Sequence, residues 1–287
     1  YIHTLFPRTM RIVGQNSGQV LNYRTIDKLC YQTLLDFHPI TLEFIPNIAS
    51  HWKISDDKKQ FWFRIDPNAL FSDGRPVTSQ DVIATWDLRM DETILEPSEQ
   101  LTYGKFERPI AESKYIVSIK AKTINWRNLI YFGTDMSLFP AHYLNELDGT
   151  AFLEEYLFKL IPGSGPYTIF EKDIINQESY TLTRRKDYWA KDHDFNRYKY
   201  NFDRIKVSVV KDNDALEFEK LKKQEADFKE IQRSRRWIEE CDFEATQKGW
   251  LKKQKVYSDK PSGTSGFYFN MRKWPFDDKR VRYAFSY

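Results

Sequence analysis

Cysteine is nearly absent. Cys30 and Cys241 are the two in 287 residues, too few for a disulfide framework and far too distant in sequence for a CxxC metal or redox motif. On their own they neither require nor exclude an oxidising compartment. No window approaches 18 consecutive apolar residues, which excludes a helical membrane span. Charge of one sign is not in excess: 44 Lys and Arg against 41 Asp and Glu give a formal net charge of +3. That near balance leaves no electrostatic footprint for nucleic acid, and short runs such as Lys252-Lys253 and Arg235-Arg236 read as solvated faces. The five histidines, His3, His38, His51, His142 and His193, show no HxH, HxxxH or HExxH spacing, so no metal and no cofactor are expected. Adjacent acids (Asp56-Asp57, Asp91-Glu92, Glu239-Glu240, Asp277-Asp278) are surface or cap residues by type and do not make an acid/base pair.

The glycine-rich places supply no catalytic motif either. GSGPYTIF, residues 163–170, has no lysine, and Pro166 removes a backbone donor where a phosphate-cradling loop needs one. A nucleophile elbow requires GxSxG after a strand. Neither Gly163-Ser164-Gly165 nor Gly263-Thr264-Ser265-Gly266 has that spacing. Catalysis is not expected. Gly163 and Gly165 read instead as backbone punctuation, with Pro166 fixing an entry angle and Tyr167 starting a strand.

Aromatics are abundant, with 17 Tyr, 21 Phe and 8 Trp. They favour half-buried pleated surfaces and also line grooves well. The length suggests about two domains. Ile26, Leu29, Cys30, Thr33, Leu34 and Phe37 recur at helical spacing, which predicts a helix over 25–37 with Cys30 buried in its apolar face. Phe61, Phe63 and Ile65 alternate as a strand. Asp73-Gly74 signals a turn, and Thr78 with Asp81 makes a variant capping box for a helix carrying Val82, Ile83 and Trp86 inward. Further strands are predicted around Tyr115–Ala121, Tyr180–Leu182, Ile205–Val209 and the EADFKEI run (225–231), with alternation again at Phe267 and Phe269. Loop and short helix fill 139–157. Helices are predicted at Ala215–Leu221 and from Asp278, where Asp277 or Asp278 holds Arg280 and Arg282. Strands and helices alternate without strict βαβ order, which points to a mixed-sheet α/β architecture. The chain opens without methionine and stops early in its last helix, so the expectation is a processed or shortened chain, with any signal segment outside it.

Four segments together resemble a known family. They are IPNIASHWKISDDKKQFWFRIDPNALFSDGRPVTSQDV, GSGPYTIF with LTRRKDYWA, FDRIKVSVVKDNDALEFEKLKKQEADF, and GFYFNMRKWPFDDKRVRYAFSY. Their order and spacing are similar to the extracellular solute-binding proteins (family 5) of peptide-type ABC importers. One departure is Gln224, where that family usually has glycine. The resemblance implies a periplasmic binding protein-like II fold: a mixed-sheet main lobe, 1–44 plus 160–287, and an inserted α+β subdomain, 45–159. The second lobe would lie outside this chain. It also implies a monomeric periplasmic or extracytoplasmic protein, with or without a lipid anchor, that captures a peptide or peptide-like solute by hinge closure for ABC permease subunits. A peptide-sensing module on the same fold is the alternative. The solute itself (peptide length, modified peptide, nickel chelate or sugar) stays open. Candidate ligand contacts are Asn22 and Tyr23 in the entry loop; Arg233, Arg235 and Arg236, which suit a carboxylate, with Trp237; and Ser262, Gly263, Thr264, Ser265 and Gly266, whose small size admits a backbone.

Overall fold

The computed structural model describes residues 1–3, 5–19, 22–211, 213–231, 233–257, 263 and 266–286, without the side chains of 23 and 24. Two larger sheets and a two-stranded one organise the described residues. In the first, Ile2–His3 runs parallel to Arg204–Val209, which pairs antiparallel with Ser179–Arg184; Tyr167–Thr168 and Ile174–Ile175 complete it, also antiparallel. This is the expected mixed sheet. The second is antiparallel throughout, in the order Ala49–Ile54, Gln60–Ile65, Ile116–Lys120, Ile110–Ser113.

The period-two pattern explains the second sheet. Phe61, Phe63 and Ile65 are buried while their neighbours are more exposed, and Phe63 faces Val117 across the ladder. Burying such an aromatic contributes about 1.5–3 kcal/mol. The FSDG turn closes with Gly74 at φ +83°, a left-handed conformation that glycine adopts without strain. The capping box is present: Thr78 N donates to Asp81 Oδ2 at 2.6 Å and opens the helix Ser79–Met90. Asp81 Oδ1 also accepts from Ala141 N at 2.7 Å, so one carboxylate fixes two helix starts.

That helix joins two cores. Val82 packs with Phe63, Phe71, Val117 and Phe132. Ala84 and Leu88 pack with Met10, Ile26, Phe139, Phe152 and Tyr180 under the mixed sheet. A smaller third core gathers Ile2, Phe218, Leu221, Ala226 and Cys241.

Three expectations are corrected. The helix over 25–37 is instead a π-helical turn, Asn22–Asp27, running into Lys28–Cys30; Tyr31 is already extended, and Leu35–Phe37 pairs with Phe44–Pro46. Cys30 O accepts from Gly165 N at 3.0 Å, so a crossing segment takes the hydrogen bond that a longer helix would use. Apolar spacing alone cannot reveal that competition. The EADFKEI run forms no strand; its Lys229 turns inward to Glu217 at 2.5 Å. Nor does GFYFNM: Phe267 and Phe269 stack at 6.4 Å, and Phe269 stacks on Phe276 at 4.8 Å. In both runs aromatic and ionic contacts replace a missing strand partner. The last helix, Lys279–Ala284, is capped by Asp278, which also pairs with Arg280 at 2.7 Å, while Arg282 donates to Phe276 O and Asp277 O.

Candidate ligand-binding cleft

The mixed sheet has one greasy face and one polar face. Tyr180↔Val207 and Leu182↔Ile205 are opposed across the ladder, with Tyr180, Leu182 and Val207 buried. Residues one step along, Ser179↔Ser208 and Thr181↔Lys206, point the other way because strand side chains alternate. This polar set, together with Leu29, Ile175, Ile205 and Val207, borders a cavity of about 930 Å³. Its far wall is the segment carrying Asp227, Phe228 and Glu230. Phe228 is 64% exposed and lies 5.8 Å from the Tyr1 ring. A mostly exposed aromatic beside hydroxyls and carboxylates can hold an amphipathic solute with little side-chain ordering.

The segment behind that wall is tied to the helix Asp214–Lys222. Arg233 and Arg236 converge on Asp214 at 3.3 and 2.9 Å. Arg236 also reaches Glu240 and lies over the Phe218 ring at 4.6 Å. Its hydrogen bond holds the Asp214 carboxyl below the usual range. Arg235 pairs with Glu239 at 2.8 Å in open solvent. The arginines expected at a ligand carboxylate therefore already meet carboxylates of this chain. Trp237 is half-buried, with Lys253 4.9 Å from its ring centroid.

Asn22 sits elsewhere. It is buried, and its Nδ2 donates to Thr9 O and Arg11 O, both at 2.6 Å. It anchors the loop that Arg11 braces from within through Val13 O and Gln15 O. Burial lowers the Arg11 guanidinium to about 10, against the opposing pull of Glu96. Tyr23 belongs to the same π-helical turn; its side chain lies outside the described residues, as do Ser262, Thr264 and Ser265. Gly263 and Gly266 are exposed, with open space where a Cβ would stand. The structure thus gathers Arg233 and Arg236 on one carboxylate and leaves Asn22 apart from them.

A joint that sequence reasoning saw only in outline is GSGPY. Gly163 and Gly165 cross the end of the helix Lys28–Cys30 so closely that a Cβ would stand 2.0 Å from Cys30 O at Gly163 and 2.6 Å from Cys30 C at Gly165. Arg185, 8% exposed, locks the crossing: it donates to Gly163 O (3.3 Å), Gly165 O (3.0 Å) and Phe71 O (3.2 Å). Ser72 N donates to Gly163 O as well. Nearby, Trp189 Nε1 donates to Gln32 Oε1, and Gln32 Nε2 donates to Asn47 and Tyr188. Neither Arg185 nor Gln32 was singled out from sequence. The available signal was that both lie beside aromatic motifs, RRKDYW and CYQT.

Among the described residues no group of His, Cys, Asp and Glu is arranged to hold a metal ion, and no helix is long and apolar enough to cross a membrane.

Comparison with known proteins gives the lineage. The chain is 28% identical over 286 residues to a protein of Brucella melitensis biotype 1 named as a binding protein, covering 98% of this chain and 45% of that one. It is 28% identical over 237 residues to an Agrobacterium fabrum protein named as the peptide-binding protein YejA, covering 81% and 38%. It therefore spans less than half the length of these relatives. Among solved structures, MoaA of A. tumefaciens R10, in complex with mannopinic acid, superposes with a TM-score of 0.70 at 18% identity over 99% of this chain and 53% of that one. AppA of Bacillus subtilis, in complex with a nonapeptide, gives 0.59 at 21% identity over 72% and 39%. These likenesses establish the periplasmic binding protein fold. Residues 43–287 match the description "Bacterial extracellular solute-binding proteins, family 5 Middle", and the chain belongs to that family.

Proposed function

We propose that this chain is part of the substrate-binding component of an ABC importer, which captures a peptide or peptide-like solute between two lobes and passes it to membrane permease subunits. The observation that carries this reading is the family match over residues 43–287. It is supported by relatives and neighbours named for peptides, including a Helicobacter pylori DppA in complex with the peptide STSA. The cavity beside the mixed sheet suits such a solute. Main-chain hydrogen bonds can hold an extended backbone, and a roomy wall of mixed polar and apolar residues tolerates varied side chains. The protein works outside the cytoplasm, as a monomer and without turnover. Residues 1–44 with 160–287 form the main lobe and 45–159 the inserted subdomain, a reading supported by the mixed sheet lying in the first part and the four-stranded antiparallel sheet in the second, with the hairpin Leu35–Phe37/Phe44–Pro46 at the boundary. The candidate contacts under this reading are Asn22, Tyr23, Arg233, Arg235, Arg236, Trp237 and 262–266. Asn22 and Arg236 hold their segments in place, and among the described residues none of these candidates lines the cavity beside the mixed sheet, so any contact with solute would be made outside it.

Native mass spectrometry of the full-length protein tests this directly. A co-purifying peptide, exchangeable with added peptides, is the expected result. A full-length protein that carries no peptide and gains no thermal stability from a broad peptide library would sink the proposal.

A further inference from the structure

A second cavity, of about 400 Å³, shares no lining residue with the first and opens where the end of the helix Lys28–Cys30 meets Asn47, Ser137 and the 190–200 loop. Its floor is buried and rigid. Tyr31, Gln32 and Ser137 are all below 9% exposure, and the Gln32 amide is fixed on both sides by Trp189, Tyr188 and Asn47. In that floor Asp27 presents a carboxylate. Ser137 Oγ donates to its Oδ1 at 2.5 Å, and among the described residues no hydrogen bond reaches its Oδ2. The rim adds Asp36, Asp192 and Asp194 against Lys28 and Lys199, with His193 beside them. The rings of Tyr31, Phe195 and Tyr200 also border the space. Tyr198 and Tyr200 take left-handed backbone (φ +68° and +57°), a costly conformation for large residues, so the loop that closes the cavity is shaped against its local preference.

The cavity falls within the size range of small-molecule sites, which are concave and carry a few convergent polar groups. The Asp27 carboxylate is partly buried, and with one oxygen unpartnered among the described residues it can accept a further donor, a charged one most strongly. The excess of carboxylates at the rim would attract that charge, and the rings would cover an aliphatic or planar body. The geometry points to a binding site in this cavity, separate from the solute cleft, for a small organic cation: a primary amine or guanidinium of up to about ten heavy atoms that places its charge against Asp27. The inference stands independently of what the cleft binds.

Linkage gives the site a signature. Burial raises the Asp27 carboxyl above its ordinary range, opposed by Lys28, Ser137 and Arg89 and reinforced by Glu99, with Asp135 also nearby. A cation favours the ionised form, so binding drives a proton off Asp27 and strengthens as pH rises through that raised value.

Calorimetry on the full-length protein with cadaverine and agmatine as probes decides the matter. Expected are saturable binding by at least one probe, none by the uncharged diol isostere of cadaverine, and a heat that varies with the ionisation enthalpy of the buffer. Asp27→Asn keeps the shape and should weaken binding at least tenfold, about 1.4 kcal/mol, while leaving peptide binding unchanged. If that variant fails to fold by circular dichroism, the exposed rim pair Asp36→Asn with Asp192→Asn should weaken binding at least threefold. No saturation by either probe at about 10 mM, which is weaker than any useful site, overturns the inference. So does binding that survives a folded Asp27→Asn, or binding displaced by cleft peptide.

Discussion

Gly163 and Gly165 show how far a single hydrogen atom can decide local structure. Both sit against the Cys30 carbonyl, at a place where any Cβ would strike backbone rather than a movable side chain. Overpacking costs about 1–3 kcal/mol where side chains can shift, and here the obstacle cannot, so Gly163→Ala should lose the upper end of that range. Urea unfolding reads it, and an unchanged midpoint would show that the crossing is looser than described. Gln224 is the opposite case. It holds φ +61° at a turn where left-handed backbone costs a non-glycine residue about 1–2 kcal/mol. Glycine loses about 0.5–1 kcal/mol of chain entropy in exchange. Gln224→Gly should therefore raise stability by a few tenths to about 1 kcal/mol, visible as a higher Tm; a lower Tm would refute it. The sequence marked both positions, Gly163 as punctuation and Gln224 as a departure, but their causes are tertiary. Arg185 was harder to see. Its neighbour Arg184 is exposed and pairs with Asp203, and only the end of the strand at Arg184 turns the next arginine inward.

At the level of elements, periodicity succeeded where one face had a partner and failed where partners competed. QFWFRI became the strand it promised because Ala49–Ile54 and Ile116–Lys120 flank it. The run from Ile26 to Phe37 kept its burial, with Ile26, Cys30 and Leu34 all below 2% exposure, yet it split into a short helix and a strand. The intended inside was readable; the hydrogen-bond partners from 165 and 44–46 were not. The Asp214 pairing gives the element a pH dependence. Its carboxyl is depressed in the folded state by Arg236, with Arg233 adding to the effect. Its contribution is therefore present above the unfolded value of about 3.9 and is lost as pH falls through the folded value. Asp214→Asn should remove that part of the acid limb, so stability plotted against pH below about 4 should be shallower than in the parent. Identical slopes would show that the pair carries no linkage. The group is partly exposed, so the effect is modest and shrinks with added salt.

On the scale of the molecule, the helix Ser79–Met90 decides how independent the parts are. It gives Val82 to the core under the antiparallel sheet and Ala84 and Leu88 to the core under the mixed sheet, while Arg185 fastens the FSDG turn of one part to the glycine crossing of the other. The two regions should therefore move as one body, and closure on a solute should come from a second lobe supplied by chain beyond this span. The chain covers 45% of its Brucella relative, and the cavity beside the mixed sheet has Phe228 64% exposed on its wall; in the proposed reading a second lobe would face that wall. A ligand that binds the folded state alone stabilises it by about 2.7 kcal/mol at a hundredfold excess over Kd. The full-length protein should gain that stability with a suitable peptide, whereas the 287-residue span should gain almost none, because closure contributes the contacts that shift the open–closed equilibrium. Calorimetry on both forms with the same peptide is the measurement. Micromolar affinity in the 287-residue span would mean that one lobe suffices for capture.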